Sequence, residues 1–236
     1  MLGAAVSGVG LAASLGACGG GLDDEVRLRA VNATADVARI DLRFNDRLWA
    51  GAIANGASSS AYAGHERWAS ASGARFEVWP AGGGTRLHSI AAHPPTGSAA
   101  SVVVMGSVAS GLRLRLLDED APRPDGPGTK LRVLHAWPAG GALDVFVTPA
   151  GQVLTGRAPD WALQGYEVLT SHVTVQAGAR LRITPRGRSD LVLFDDTSTS
   201  FGSGPVATLV VAPAVGSSRV VVAVLPQALP ASVLVG

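Results

Sequence analysis

The chain repeats itself, and that repeat is the tightest constraint on its fold. The run Val26-Arg27-Leu28-Arg29-Ala30-Val31-Asn32 superimposes on Thr129-Lys130-Leu131-Arg132-Val133-Leu134-His135 at an offset of 103 residues. The same offset of 103 carries Ile40-Asp41-Leu42 onto Leu143-Asp144-Val145. Ala74-Arg75-Phe76-Glu77-Val78-Trp79-Pro80 then matches Ala179-Arg180-Leu181-Arg182-Ile183-Thr184-Pro185 at 105, and Val102-Val103-Val104 matches Leu209-Val210-Val211 at 107. An offset that grows in small steps inside loops is what a duplicated unit with surface insertions produces. Whatever the fold is, it has to be reached twice, in about 95 residues each time.

The local pattern makes those units β-structure. Short alternating runs of β-branched residues and Leu are separated by Gly, Pro, Ser and Asp clusters. Strands are predicted at Val26–Asn32, Ala38–Phe44, Ala74–Trp79, Ser101–Gly106 and Leu112–Leu117, and again at Lys130–His135, Ala142–Thr148, Arg180–Thr184, Ala207–Ala212 and Arg219–Leu225. The 30 Gly and 14 Pro favour turns over long helices. The expectation is an all-β chain of two tandem small antiparallel β-sandwich domains, Ig-like or transthyretin-like, over residues 26–117 and 130–228. Residues 118–129, with three prolines and a run of acids, read as a linker, so the two sandwiches are expected to be semi-independent. Residues 229–236 are a tail.

The first 18 residues, MLGAAVSGVGLAASLGAC, are uncharged, small and apolar, too short and too weakly hydrophobic for a membrane span. They fit a secretory signal, although they lack its usual Lys or Arg. Leu15-Gly16-Ala17-Cys18 resembles a bacterial lipobox. That resemblance implies diacylation of the Cys18 thiol, cleavage before it, and a membrane contact through lipid alone. Residues 19–25 would be a flexible tether. Gly19 after the Cys implies sorting to the outer membrane by resemblance to Gram-negative signals. The expected location is the cell envelope. A single Cys also excludes a disulfide framework and any multi-cysteine metal site.

Leu131-Arg132-Val133-Leu134-His135-Ala136-Trp137-Pro138, followed by Ala142-Leu143-Asp144-Val145-Phe146-Val147, resembles the bacterial domain of unknown function 4397. In that family a first strand ends in His-Ala-Ser-Pro and a later strand reads Val-Asp-Val-Tyr. Gln176-Ala177-Gly178-Ala179 leading into Arg180–Pro185 matches the family's Ala-Gly turn and following strand. In the first copy Asn32, Thr34 and Ala35 replace His, Ser and Pro, and in the second Trp137 stands where Ser is usual. The resemblance implies exported, often lipid-anchored β-sandwiches, single or tandem, with no established activity.

Asn32 and His135 each precede an Asp, Asp41 and Asp144, by nine residues. An Asp within an apolar strand is costly unless hydrogen-bonded, so the two residues of each set are expected to pair, or to bond nearby backbone, and so lock the first loop. A His-Asp acid/base or metal site is the alternative, but it needs a nucleophile or further ligands, and Asn32 cannot exchange protons. His65, His88, His93 and His172 lack ligand spacing, and no Gly-x-Ser-x-Gly elbow or phosphate loop occurs. Asp118, Glu119, Asp120, Asp195 and Asp196 read as solvated acids. Trp68, Trp137 and Trp161, predicted in connecting segments, are candidate contacts for a glycan or protein ligand, or else covers for the sandwich end.

A formal net charge of +1 offers no electrostatic case for nucleic acid. The expectation is a non-catalytic structural or binding module of the envelope, with no cofactor and with an envelope protein or a glycan as possible partner. The alternatives are a surface adhesion or carbohydrate-binding protein using loop Trp residues and, more remotely, a hydrolase or metalloenzyme.

Overall fold

The computed structural model describes residues 27–59, 75–92, 99–176, 179–197 and 205–227. Cys18, Trp68, the leader and tether at 1–25, and the tail at 229–236 lie outside the described residues. The described chain is all-β. In its first half the strands are β1 (Arg27–Thr34), β2 (Arg39–Phe44), β3 (Arg47–Ala54), β4 (Arg75–Pro80), β5 (His88–Ala91), β6 (Ala99–Ser107) and β7 (Gly111–Asp118). In the second they are β8 (Thr129–His135), β9 (Leu143–Thr148), β10 (Trp161–Leu163), β11 (Val173–Val175), β12 (Arg180–Pro185), β13 (Phe194–Asp196), β14 (Val206–Pro213) and β15 (Val220–Pro226). All ten predicted strands form, within two residues of their expected bounds. β3, β5, β10, β11 and β13 are additional.

The halves share a strand order, except that β11 beside β8 has no counterpart among the described residues of the first half. The first folds into sheets ordered β3-β2-β4-β5 and β1-β6-β7, the second into β10-β9-β12-β13 and β11-β8-β14-β15. Pairing is antiparallel except at one place in each half, where β1 lies parallel to β6 and β8 parallel to β14. The chain leaves β1, builds the opposite sheet, and returns beside β1, a crossover long enough for parallel pairing. Matching backbone bonds repeat as well. Ser59 N donates to Ala30 O at 2.8 Å and Thr170 N to Val133 O at 2.9 Å, while the Ser59 and Thr170 hydroxyls accept from Ala30 N and Val133 N.

The sandwiches are not semi-independent bodies. Side chains alternate along a strand, so β1 sends Leu28 and Ala30 into its own core and Val31 and Ala33 to the other face. That other face meets the second half. Val31, Ala33, Val103 and Met105 share one buried cluster with Leu134, Ala136, Val210 and Ala212. Four sheets therefore stack, with β1, β6, β8 and β14 covered on both sides. The connector does not swing freely, because Glu119 is buried and the carbonyls of Ala121 and Pro122 accept from Gln227 and Lys130.

The contact between halves is reciprocal. Arg29 Nη1 donates to Pro226 O at the end of β15, at 2.9 Å, and Arg132 Nη2 donates to Asp118 O at the end of β7. Arg29 Nε also donates to Ser101 Oγ at 3.1 Å and Arg132 Nε to Thr208 Oγ1 at 2.9 Å. Equivalent residues meet equivalent residues with the halves exchanged, the arrangement of a two-fold dimer interface, here within one chain.

Candidate functional site

The motif residues cluster where β1 and β8 end. Asn32 is fully buried; its Nδ2 donates to Val37 O and Ile53 O, both at 3.1 Å, and its Oδ1 accepts from Thr34 N and the Thr34 hydroxyl. His135 is equally buried. Its Nδ1 accepts from Trp137 N at 3.2 Å, which leaves the proton on Nε2 to bond Gly141 O at 2.7 Å. Burial pushes the imidazole below its ordinary pKa, against the opposing pull of the Gly141 carbonyl. The ring is a neutral clamp closing the turn from β8 toward β9.

Neither expected polar set is joined side chain to side chain. Asp41 Oδ2 accepts from Gly82 N at 3.1 Å and Asp144 Oδ2 from Gly187 N at 2.8 Å, so each carboxylate fastens the turn after the neighbouring strand. Asp41 Oδ1 also accepts from Ala52 N at 2.7 Å, within the irregular stretch of the β2–β3 ladder. The β9–β10 ladder is regular, so no amide turns toward Asp144, and its Oδ1 is buried without a partner. Each carboxylate takes the other expected course and bonds backbone, because strand pairing brings the amides of Ala52, Gly82 and Gly187, distant in sequence, beside it.

Residues 26–146 match the family described as "Domain of unknown function (DUF4397)". The chain belongs to this family. The DUF4397 match takes in the first sandwich, the connector, β8 and most of β9, so it includes Asn32, Asp41, His135 and Asp144 alike. No curated protein matches the chain. Among solved structures, one described as "Alpha-glucan recognition by family 41 carbohydrate-binding modules from streptococcal virulence factors" is similar at 14% identity, covering 83% of this chain and 96% of that one with a TM-score of 0.23. At that score the likeness carries no argument.

The aromatic candidates separate. Trp161 is not in a connecting segment: it lies in β10, 5% exposed, because the edge of the second sandwich needs a large apolar cover there. Trp137 is in the loop, half-buried against the core, with its ring over Gly140, where an added Cβ would fall 2.5 Å from the indole. No group of three or more His, Cys, Asp or Glu able to hold a metal occurs among the described residues.

Sequence reasoning passed over the most elaborate polar cluster in this DUF4397 chain. Arg29, 3% exposed, pairs with Glu119 at 2.5 Å, and Ser101 Oγ donates to the same Glu119 oxygen. Glu119 is not a solvated acid, since it turns back under the sheet to neutralise Arg29. The available signal was Arg29 and Arg132 recurring at the same place inside apolar strands, where an unpartnered guanidinium could not be buried.

Proposed function

We propose that this chain is a non-catalytic structural or binding module of the cell envelope, holding two copies of the family domain and tethered through lipid on Cys18. The observation that carries the reading is how the motif's polar groups are used. Asn32, Asp41 and His135 spend their hydrogen bonds on main-chain groups of adjacent turns, which shapes loops and leaves no acid/base pair facing substrate. The shared strand order and the reciprocal contacts support two copies of one domain welded into a stiff body. Metabolic palmitate labelling of wild type and Cys18→Ser, followed by membrane fractionation, tests the tether. Label and membrane association should both vanish in the variant; a wild-type protein that takes up no label refutes the lipid anchor. The glycan-binding reading now rests on Trp137 alone among the described candidates. A Trp fluorescence titration against glycans and peptidoglycan fragments, with Trp137→Phe as control, tests it.

A further inference from the structure

The duplicated interface has two equivalent seams, and they are built differently. In each half the strand pair after the first β-strand ends in a residue that bonds back to the buried Asn or His: Gly56 N donates to Asn32 O at 2.8 Å and Glu167 N to His135 O at 2.9 Å. Each of these residues meets the last strand of the other half. Gly56 lies against Val221 of β15 so tightly that an added Cβ would sit 2.6 Å from Val221 Cγ2. At that seam the halves touch directly, and Asn55 Oδ1 accepts from Val215 N at 3.2 Å. At the other, Glu167 faces Arg113 and Arg115 of β7, and a cleft of 430 Å³ runs along that strand to His88 of β5.

The cleft has two chemistries. The partly buried Ile90 and Leu114 give it an apolar wall, backed by the buried Met105 and Leu112, and the two guanidinium groups give it a cationic one. Arg113 Nε holds Glu167 Oε1 at 2.8 Å, with the Arg side chain 66% exposed, while Arg115 Nη1 is held by the Glu167 carbonyl. Glu167 keeps φ at +68°, where glycine stands in the other copy and where an L side chain is strained. Beside it the Tyr166 hydroxyl is buried with no partner, next to Gly106, which pairs in register with Leu112 of the cleft wall. A strained residue whose carboxylate occupies an exposed arginine, over a cleft of ligand size, has the form of an internal stand-in for a bound anion.

The geometry points to a binding site for a small amphiphilic anion, with its carboxylate or phosphate head on Arg113 in place of Glu167 and its apolar body reaching over the edge of β7 to the partly buried Ile90 and Leu114, on the face turned into the first sandwich. Arg115, fixed by the Glu167 carbonyl, is a positioning residue that keeps a second positive charge beside the head. This site does not depend on lipid attachment at Cys18 or on the envelope reading.

Calorimetric titration of the full chain with octanoate, octyl phosphate and octan-1-ol tests it. The two anions should bind and the alcohol should not; binding of one anion only would identify the head group. Arg113→Gln should weaken anion binding by about tenfold or more, as loss of a charged hydrogen bond does. Glu167→Gln, which keeps the backbone but removes the competing charge, should tighten it. Opposite signs at the two partners of one ion pair cannot arise from a merely structural role. Arg188→Gln, at the exposed pair with Asp190, is the control, and thermal unfolding of every variant reports folding. No anion binding up to about 10 mM, equal binding of octan-1-ol, or an unchanged affinity in Arg113→Gln overturns the proposal.

Discussion

Glu167 carries the left-handed backbone that Gly56 carries in the equivalent position of the first half, with φ of +68° against +73°. The two positions therefore respond oppositely to exchange. Gly56→Ala adds a Cβ into Val221 on a backbone that disfavours it, and should lower stability by about 2 kcal/mol. Glu167→Gly relieves strain and meets no such contact, and should raise stability by up to about 1 kcal/mol. Urea unfolding midpoints of the two variants measure the contrast.

The shared core makes the halves unfold together. Leu134, fully buried between the inner sheets, touches both, so Leu134→Ala should cost about 2–5 kcal/mol and lower one transition, not one of two. Scanning calorimetry checks this through the ratio of calorimetric to van't Hoff enthalpy, which should stay near unity. Two resolved transitions in the wild type would mean that the interface does not couple the halves.

Most of the longer strands were legible in the sequence, by alternation or by an unbroken apolar run; the short ones and the interface were not. β10, β11 and β13 have three residues each, too few to show a period. β3 is continuous but carries Gly51 and a bulge at Ala52, which interrupt its alternation, although Asn45-Asp46 before it, both at positive φ, is a hairpin signal that could have revealed it. The inner interface left a trace too. Val102-Val103-Val104 and Leu209-Val210-Val211 are continuous apolar runs, which a strand covered on both faces requires and a strand with one wet face does not. The partners of Asp41 and Asp144 stayed hidden because they are backbone amides, which carry no residue signature. Glu167 gave no signal because only its backbone angle and its place opposite β7 mark it.

The buried ion cluster should be far more sensitive than the surface pairs. Glu119→Ala would remove the carboxylate that neutralises the Arg29 guanidinium at 3% exposure, and should cost about 3–5 kcal/mol. Asp190→Ala breaks a pair in which both side chains are more than half exposed, and should leave the midpoint unchanged. Parallel denaturant titrations of both variants make the comparison.

His135 gives the fold an acid limit. Its folded pKa lies below the ordinary histidine value because the ring is buried, so above about pH 6.5 the group is neutral both folded and unfolded and costs nothing. As pH falls below that value the unfolded chain takes up a proton that the folded ring resists, and stability declines until the folded pKa is reached. Protonation would put a hydrogen on Nδ1, which now accepts from Trp137 N, and would open the loop carrying Trp137. His172, also depressed by burial and by the nearby Arg132 and Lys130 charges, acts in the same direction. His135→Gln keeps a donor for the Gly141 carbonyl and cannot titrate in this range, so the difference between wild type and variant isolates the His135 share. Unfolding free energies between pH 4.5 and 8 should show the variant flatter than wild type below about pH 6.5 and parallel to it above. Curves parallel throughout would mean that the imidazole charges without strain in the folded protein.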